Sequence, residues 1–190
     1  MLRSLRLMAS LILVTLLGFG SIFSSIFLSG WFDWRKNALS DLGYSTKSHV
    51  AAIFNLGLLI FGLLLILISI KLFQQRRRVS LILSALSGFL IQLIGAFDKA
   101  YGQLHTIISI SLFIVIGLSI LIGSIESGSK GFASLSALYI ATWVLYFWIR
   151  ECSIMRIGIS VPETISITIF SSWFILSSLK KSSNHINSTL

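Results

Sequence analysis

Apolar positions in this chain gather into six long runs separated by short polar joints. The runs cover residues 7–30, 50–70, 79–97, 106–125, 132–149 and 162–179. At about 1.5 Å of rise per residue, roughly 20 helical residues cross a hydrocarbon core of roughly 30 Å, so each run predicts a transmembrane helix. The expected fold is all-α: a polytopic integral membrane protein, a six-helix bundle forming a single membrane domain over residues 1–190.

The joints carry residues that start and stop helices. Ser48 is placed to cap the second helix, and Gln74-Gln75-Arg76-Arg77-Arg78 forms a tight charged turn before the third. Gly102 interrupts the third-to-fourth joint, and Glu126-Ser127-Gly128-Ser129-Lys130-Gly131 is a loop by composition. Pro162, the only proline, suits the first turn of the sixth helix, where a missing N–H costs nothing. Met1–Arg6 has the charged start of a signal peptide, but the run after it is too long and lacks a convincing small-residue cleavage pattern, so it reads as a retained helix.

Composition supports the bilayer as solvent. The chain is 55% hydrophobic and 11% charged, with a mean hydropathy of +0.94, too little polar surface to coat a water-soluble globule. Its formal net charge of +9 raises the possibility of nucleic acid. The basic residues instead flank apolar runs, without the aromatic-interleaved basic patch of a nucleic-acid binder, and no nucleic-acid partner is expected.

Basic residues divide unevenly between the two ends of the bundle. Arg3, Arg6, Lys71, Arg76, Arg77, Arg78, Lys130, Lys180 and Lys181 share one side with a single acid, Glu126. Arg35, Lys36, Lys47, Lys99, Arg150 and Arg156 share the other with Asp33, Asp41, Asp98, Glu151 and Glu163. The positive-inside rule then places both termini in the cytoplasm of a cell-membrane protein. Trp31, Trp34, Tyr44, Tyr101 and Trp148 fall near the outer boundary as an interfacial belt, and the sequon at Asn187 falls in the cytoplasmic tail. Ser84-x-x-x-Gly88 is a helix-contact pattern. The single cysteine, Cys152, excludes an intrachain disulfide and a multi-cysteine zinc site.

Candidate chemistry concentrates on the outer side. Asn37, Ser40 and Asp41 lie in the first outer loop, Asp98 ends the third helix, His105 opens the fourth, and Glu163 lies in the first turn of the sixth. Their helix ends can bring these residues together as a binding cluster. Each also has a local explanation: Ser40-Asp41 as a turn satisfying its own backbone, Asp98 with Lys99 as a boundary ion pair, Glu163 as a macrodipole partner. Deeper in the bundle, the Asn55 and Gln92 amides need partners, expected on other helices. His49, His105 and two carboxylates are acceptable zinc ligands by type, at unspecific spacing. No His-x-x-x-His pair, Gly-x-Ser-x-Gly elbow, P-loop or dinucleotide fingerprint is present.

The run Asn37-x-x-Ser40-Asp41-Leu42-Gly43, then Ile53-Phe54-Asn55-Leu56-Gly57 with Gly62, then Gly95-Ala96-Phe97-Asp98 leading to His105-Thr106, then Gly158-Ile159-x-x-Pro162-Glu163 before Trp173 resembles the multi-pass membrane family catalogued as domain of unknown function 998. The resemblance spans most of the chain. It implies a bundle of about six helices with no established activity, and its recurrent polar positions fall on Asn37, Ser40, Asp41, Asn55, His105 and Glu163. The stretch at Asp98 departs from the family's shape, in which a proline often follows the phenylalanine.

The expected function is thus an outward polar cluster that binds a lipid headgroup, a small solute or a partner subunit. One alternative is a metal-assisted hydrolase acting on lipid at the outer leaflet, with zinc as the possible metal. Another is a transporter or an accessory subunit of a larger membrane complex.

Overall fold

The computed structural model describes residues 2–152 and 155–179, with side chains from Met8 onward. Lys180, Lys181, His185, the sequon at Asn187 and the side chains of Arg3 and Arg6 lie outside the described residues. Six helices follow one another: α1 (Leu2–Ser29), α2 (Ala51–Arg76), α3 (Val79–Ala96), α4 (Gln103–Ser127), α5 (Lys130–Glu151) and α6 (Ser160–Leu179). Two short 3-10 turns, Leu39–Asp41 and Lys99–Tyr101, lie in the α1–α2 and α3–α4 joints. No strand occurs among the described residues.

Five helices, α1 (from Met8) through α5, are long and apolar enough to cross a membrane. They turn large apolar side chains outward, among them Leu16, Leu56, Ile114 and Leu145. The 20-residue α6 is not one of the five, because Glu163 and serines at 160, 166, 171, 172, 177 and 178 dilute its hydropathy. Its placement explains that composition. It packs against α1, α4 and α5 and buries Ser166, Ile169, Phe170, Trp173, Phe174 and Ser178, so lipid does not dictate its surface.

Helices adjacent in sequence pack side by side, and α2 with α3 is the closest pair. A Cβ at Gly62 would lie 2.5 Å from the Gly88 carbonyl oxygen, and one at Gly88 would lie 2.7 Å from that of Gly62. Each glycine therefore lets the other backbone touch it. The Ser84-x-x-x-Gly88 pattern serves two neighbours, since Ser84 Oγ also meets Ser119 Oγ of α4 at 3.3 Å.

Helix ends depart from expectation in instructive places. α2 runs on to Arg76 because Lys71, Gln74 and Gln75 are good helix formers despite their polarity; it stops where Arg77 turns left-handed at φ +48°. α4 extends through Glu126 to Ser127 and ends at Gly128, φ +58°. Pro162 falls in the first turn of α6 as expected. Ser48 does not cap α2: Val50 holds the cap position, and the Ser48 hydroxyl is buried without a hydrogen-bond partner.

The basic end is tied by reciprocal side-chain caps. The Arg76 guanidinium donates to the Ser177 and Ser178 carbonyls at 2.8 and 2.7 Å, satisfying the end of α6. The Glu126 carboxylate accepts from the Val79 and Ser80 amides at 2.6 and 3.4 Å, satisfying the start of α3.

Candidate functional site

At the opposite end, the loop 30–50 folds over the helix tips as a clasp. The Asn37 side chain accepts from the Asp33 amide at 2.8 Å and donates to Asp41 Oδ2 at 3.0 Å. That same oxygen accepts from the Ala38 amide at 3.0 Å, so Asp41 does satisfy its own turn. Lys99, from the α3–α4 joint, pairs with Asp41 Oδ1. The expected partner, Asp98, is engaged elsewhere: it accepts from the Ala100 amide at 2.7 Å and from the Ser45 amide at 3.3 Å. Asp98 thus caps its own turn and holds the first loop, while its neighbour in sequence reaches the carboxylate across the site.

Glu163 fastens the clasp to α6. Its Oε2 accepts from the Leu39 amide at 2.7 Å, in a buried bond between residues 124 positions apart. Backbone bonds reinforce the join, with the Gly158 amide donating to the Trp34 carbonyl at 3.1 Å and the Ser160 amide to that of Asn37 at 3.2 Å. The underside rests on α2. Asn55 Nδ2 donates to the Gly43 carbonyl at 2.9 Å, and a Cβ at Gly43 would overlap the Phe54 ring and the Asn55 amide. The Asn55 amide therefore meets a loop rather than another helix. Gln92 does bridge helices, donating to the Leu59 carbonyl of α2 at 3.3 Å.

Burial pushes the Asp41 carboxyl up, but its bonds to Lys99, Asn37 and the Ala38 amide outweigh that and hold it below its ordinary value. The same contest at Asp98 has the same outcome, with Ser45 and the Ala100 amide overcoming burial.

His105 is buried in the first turn of α4. Its Nδ1 lies 2.8 Å from the Phe97 carbonyl oxygen and its Nε2 lies 3.4 Å from Ser109 Oγ. A carbonyl only accepts, so Nδ1 carries a proton, and the neutral form of the ring has Nε2 as its acceptor.

Beside the clasp opens a cleft of about 1080 Å³ between α4 and α5. Ser40, Lys47, Lys99, His105, Ser109 and Glu163 line its polar end. Along its length the walls become apolar, with Ile110, Ile114, Ile140 and Phe147 all well exposed on the flank of the bundle. Ser40, Ser109 and Glu163 also line a smaller cavity of about 80 Å³ in the bundle interior.

Of the residues proposed from sequence, Ser40, His105 and Glu163 thus face one space. Asn37, Asp41 and Asp98 instead hold the surrounding loops, and Asn55 and Gln92 hold the packing beneath. His49 does not line this space, its Nε2 lying 3.1 Å from the Leu28 carbonyl. Among the described residues no three His, Cys, Asp or Glu side chains converge as metal ligands, and both nitrogens of His105 already have partners. Sequence reasoning overlooked Lys47, Lys99 and Ser109 as members of the site. Ser109 lies one helical turn after His105, a spacing that was available as a signal.

The fold and site define a multi-pass, membrane-spanning helical bundle whose polar end opens onto a lateral cleft. The family model described as Protein of unknown function (DUF998) matches residues 12–180, and the chain belongs to that family. No curated protein and no solved structure matches it.

Proposed function

We propose that the protein binds a lipid in the α4–α5 cleft, with the headgroup among Ser40, Lys47, Lys99 and Glu163 and an acyl chain between the apolar walls. In this arrangement α6 is the sixth crossing, both termini are cytoplasmic, and the polar end lies at the outer leaflet. The observation that carries the reading is the polarity gradient along a cleft of about 1080 Å³. From Ile110 to Leu121, both on its wall, α4 rises about 16 Å, close to the roughly 15 Å depth of one leaflet. Ammonium and hydroxyl donors at one end and hydrocarbon at the other match the two halves of a lipid.

The test is lipid retention. Native mass spectrometry of the detergent-purified chain is expected to show a bound lipid, and Ile114→Trp, which fills the cleft, is expected to remove it. Equal lipid content in the two proteins refutes the assignment to this cleft. A small solute or a fixed partner subunit in place of lipid would favour one of the other functions considered from sequence.

A further inference from the structure

Several serine hydroxyls in these helices turn back onto the preceding turn. Ser21, Ser25, Ser87, Ser134 and Ser136 each donate to a carbonyl three or four residues earlier. Ser109 does not. Its hydroxyl faces His105 Nε2 at 3.4 Å, and both residues line the cleft.

The geometry assigns Ser109 as a nucleophile and His105 as its general base, in a site that cleaves the acyl ester of an amphiphile held in the cleft. Three features converge. The Phe97 carbonyl accepts a hydrogen bond from Nδ1–H at 2.8 Å, which fixes both the tautomer and the ring orientation, the task a third group performs for a catalytic base. Nε2 is thereby left as the acceptor facing the one hydroxyl beside it. Ser109 lies where the polar end gives way to Ile110 and Phe113, the level at which an ester carbonyl joins a headgroup to its chain. Lys47 and Lys99 line the same space and lower the cost of negative charge developing there.

The step balances without an added oxidant or metal. Ser109 Oγ attacks the ester carbonyl carbon as His105 Nε2 takes the hydroxyl proton. The new Oγ–C bond forms, the ester C–O bond breaks, and the alcohol leaves with the proton from His105. Water then attacks the acyl-Ser109 ester, giving its proton to Nε2. The fatty acid is released and the hydroxyl restored.

This inference rests on the lipid-binding reading, and the experiment separates the two. The full chain in phosphatidylcholine nanodiscs is treated with a long-chain alkyl fluorophosphonate, and the adduct is located by peptide mass spectrometry. The expected result is labelling at Ser109 that vanishes in Ser109→Ala and slows by about 100-fold or more in His105→Gln, with lipid retention measured in parallel on the wild type and Ile114→Trp. The glutamine keeps a donor for the Phe97 carbonyl, so a merely structural histidine would leave the labelling rate unchanged. Absence of the Ser109 adduct in the wild type, or an unchanged rate in His105→Gln, overturns the nucleophile assignment even if lipid is retained. Loss of the cleft's lipid binding itself would overturn both.

Discussion

Removing the Glu163 carboxylate should free the Leu39 amide and loosen the clasp before anything else. The bond is 2.7 Å long and buried, and no other hydrogen bond of the Leu39 amide occurs among the described residues. Glu163→Ala therefore leaves a buried donor unsatisfied, a cost of about 1–3 kcal/mol. At about 1.4 kcal/mol per factor of ten, local opening of the turn Leu39–Asp41 should become roughly 5- to 150-fold more frequent. Glu163→Gln keeps a carbonyl oxygen at the same reach and should lose less. The assay is amide hydrogen exchange resolved to Leu39 in detergent or nanodiscs, with the α2–α3 contact at Gly62 as the internal reference. If Leu39 exchanges in Glu163→Ala at the wild-type rate, or if the glutamine variant exchanges as fast as the alanine variant, the clasp does not depend on this bond.

Two further outcomes are expected. The Asp41 carboxyl is held below its ordinary value of 3.8, so its contribution to stability is fully present above that value and lost as pH falls through the depressed one. Thermal unfolding across the acid range should show this limb in the wild type and a flattened one in Asp41→Asn; identical acid limbs refute the assignment. Cys152 is exposed near the end of α5, and with the polar end outside it should react with a membrane-impermeant maleimide in intact cells. Labelling only after lysis would reverse the orientation.

The helical plan was legible because long apolar runs leave the chain little choice: a backbone in hydrocarbon must satisfy its own hydrogen bonds, and a helix does so locally. The residue types of the polar end were legible for a related reason, since a carboxylate or imidazole among apolar runs needs a partner. Which partner was not. Lys99 follows Asp98 in sequence yet pairs with Asp41, because the 3-10 turn Lys99–Tyr101 directs its ammonium across the joint. Gly43 and Gly158 lie between the apolar runs, and only the packing puts Phe54 with Asn55, and the Trp34 carbonyl, where their Cβ atoms would be.

Sequence by itself determined the class of protein, the number of long helices and the end at which polar chemistry gathers, because hydropathy and helix propensity act on contiguous residues. Only the tertiary structure decided that α6 lies inward with all its serines but Ser172 covered, that Glu163 grips an amide 124 residues away, and that Ser109 faces His105 on the wall of a cleft. Those outcomes depend on how helices meet side by side, and contacts between residues far apart in the chain leave no local periodicity to read.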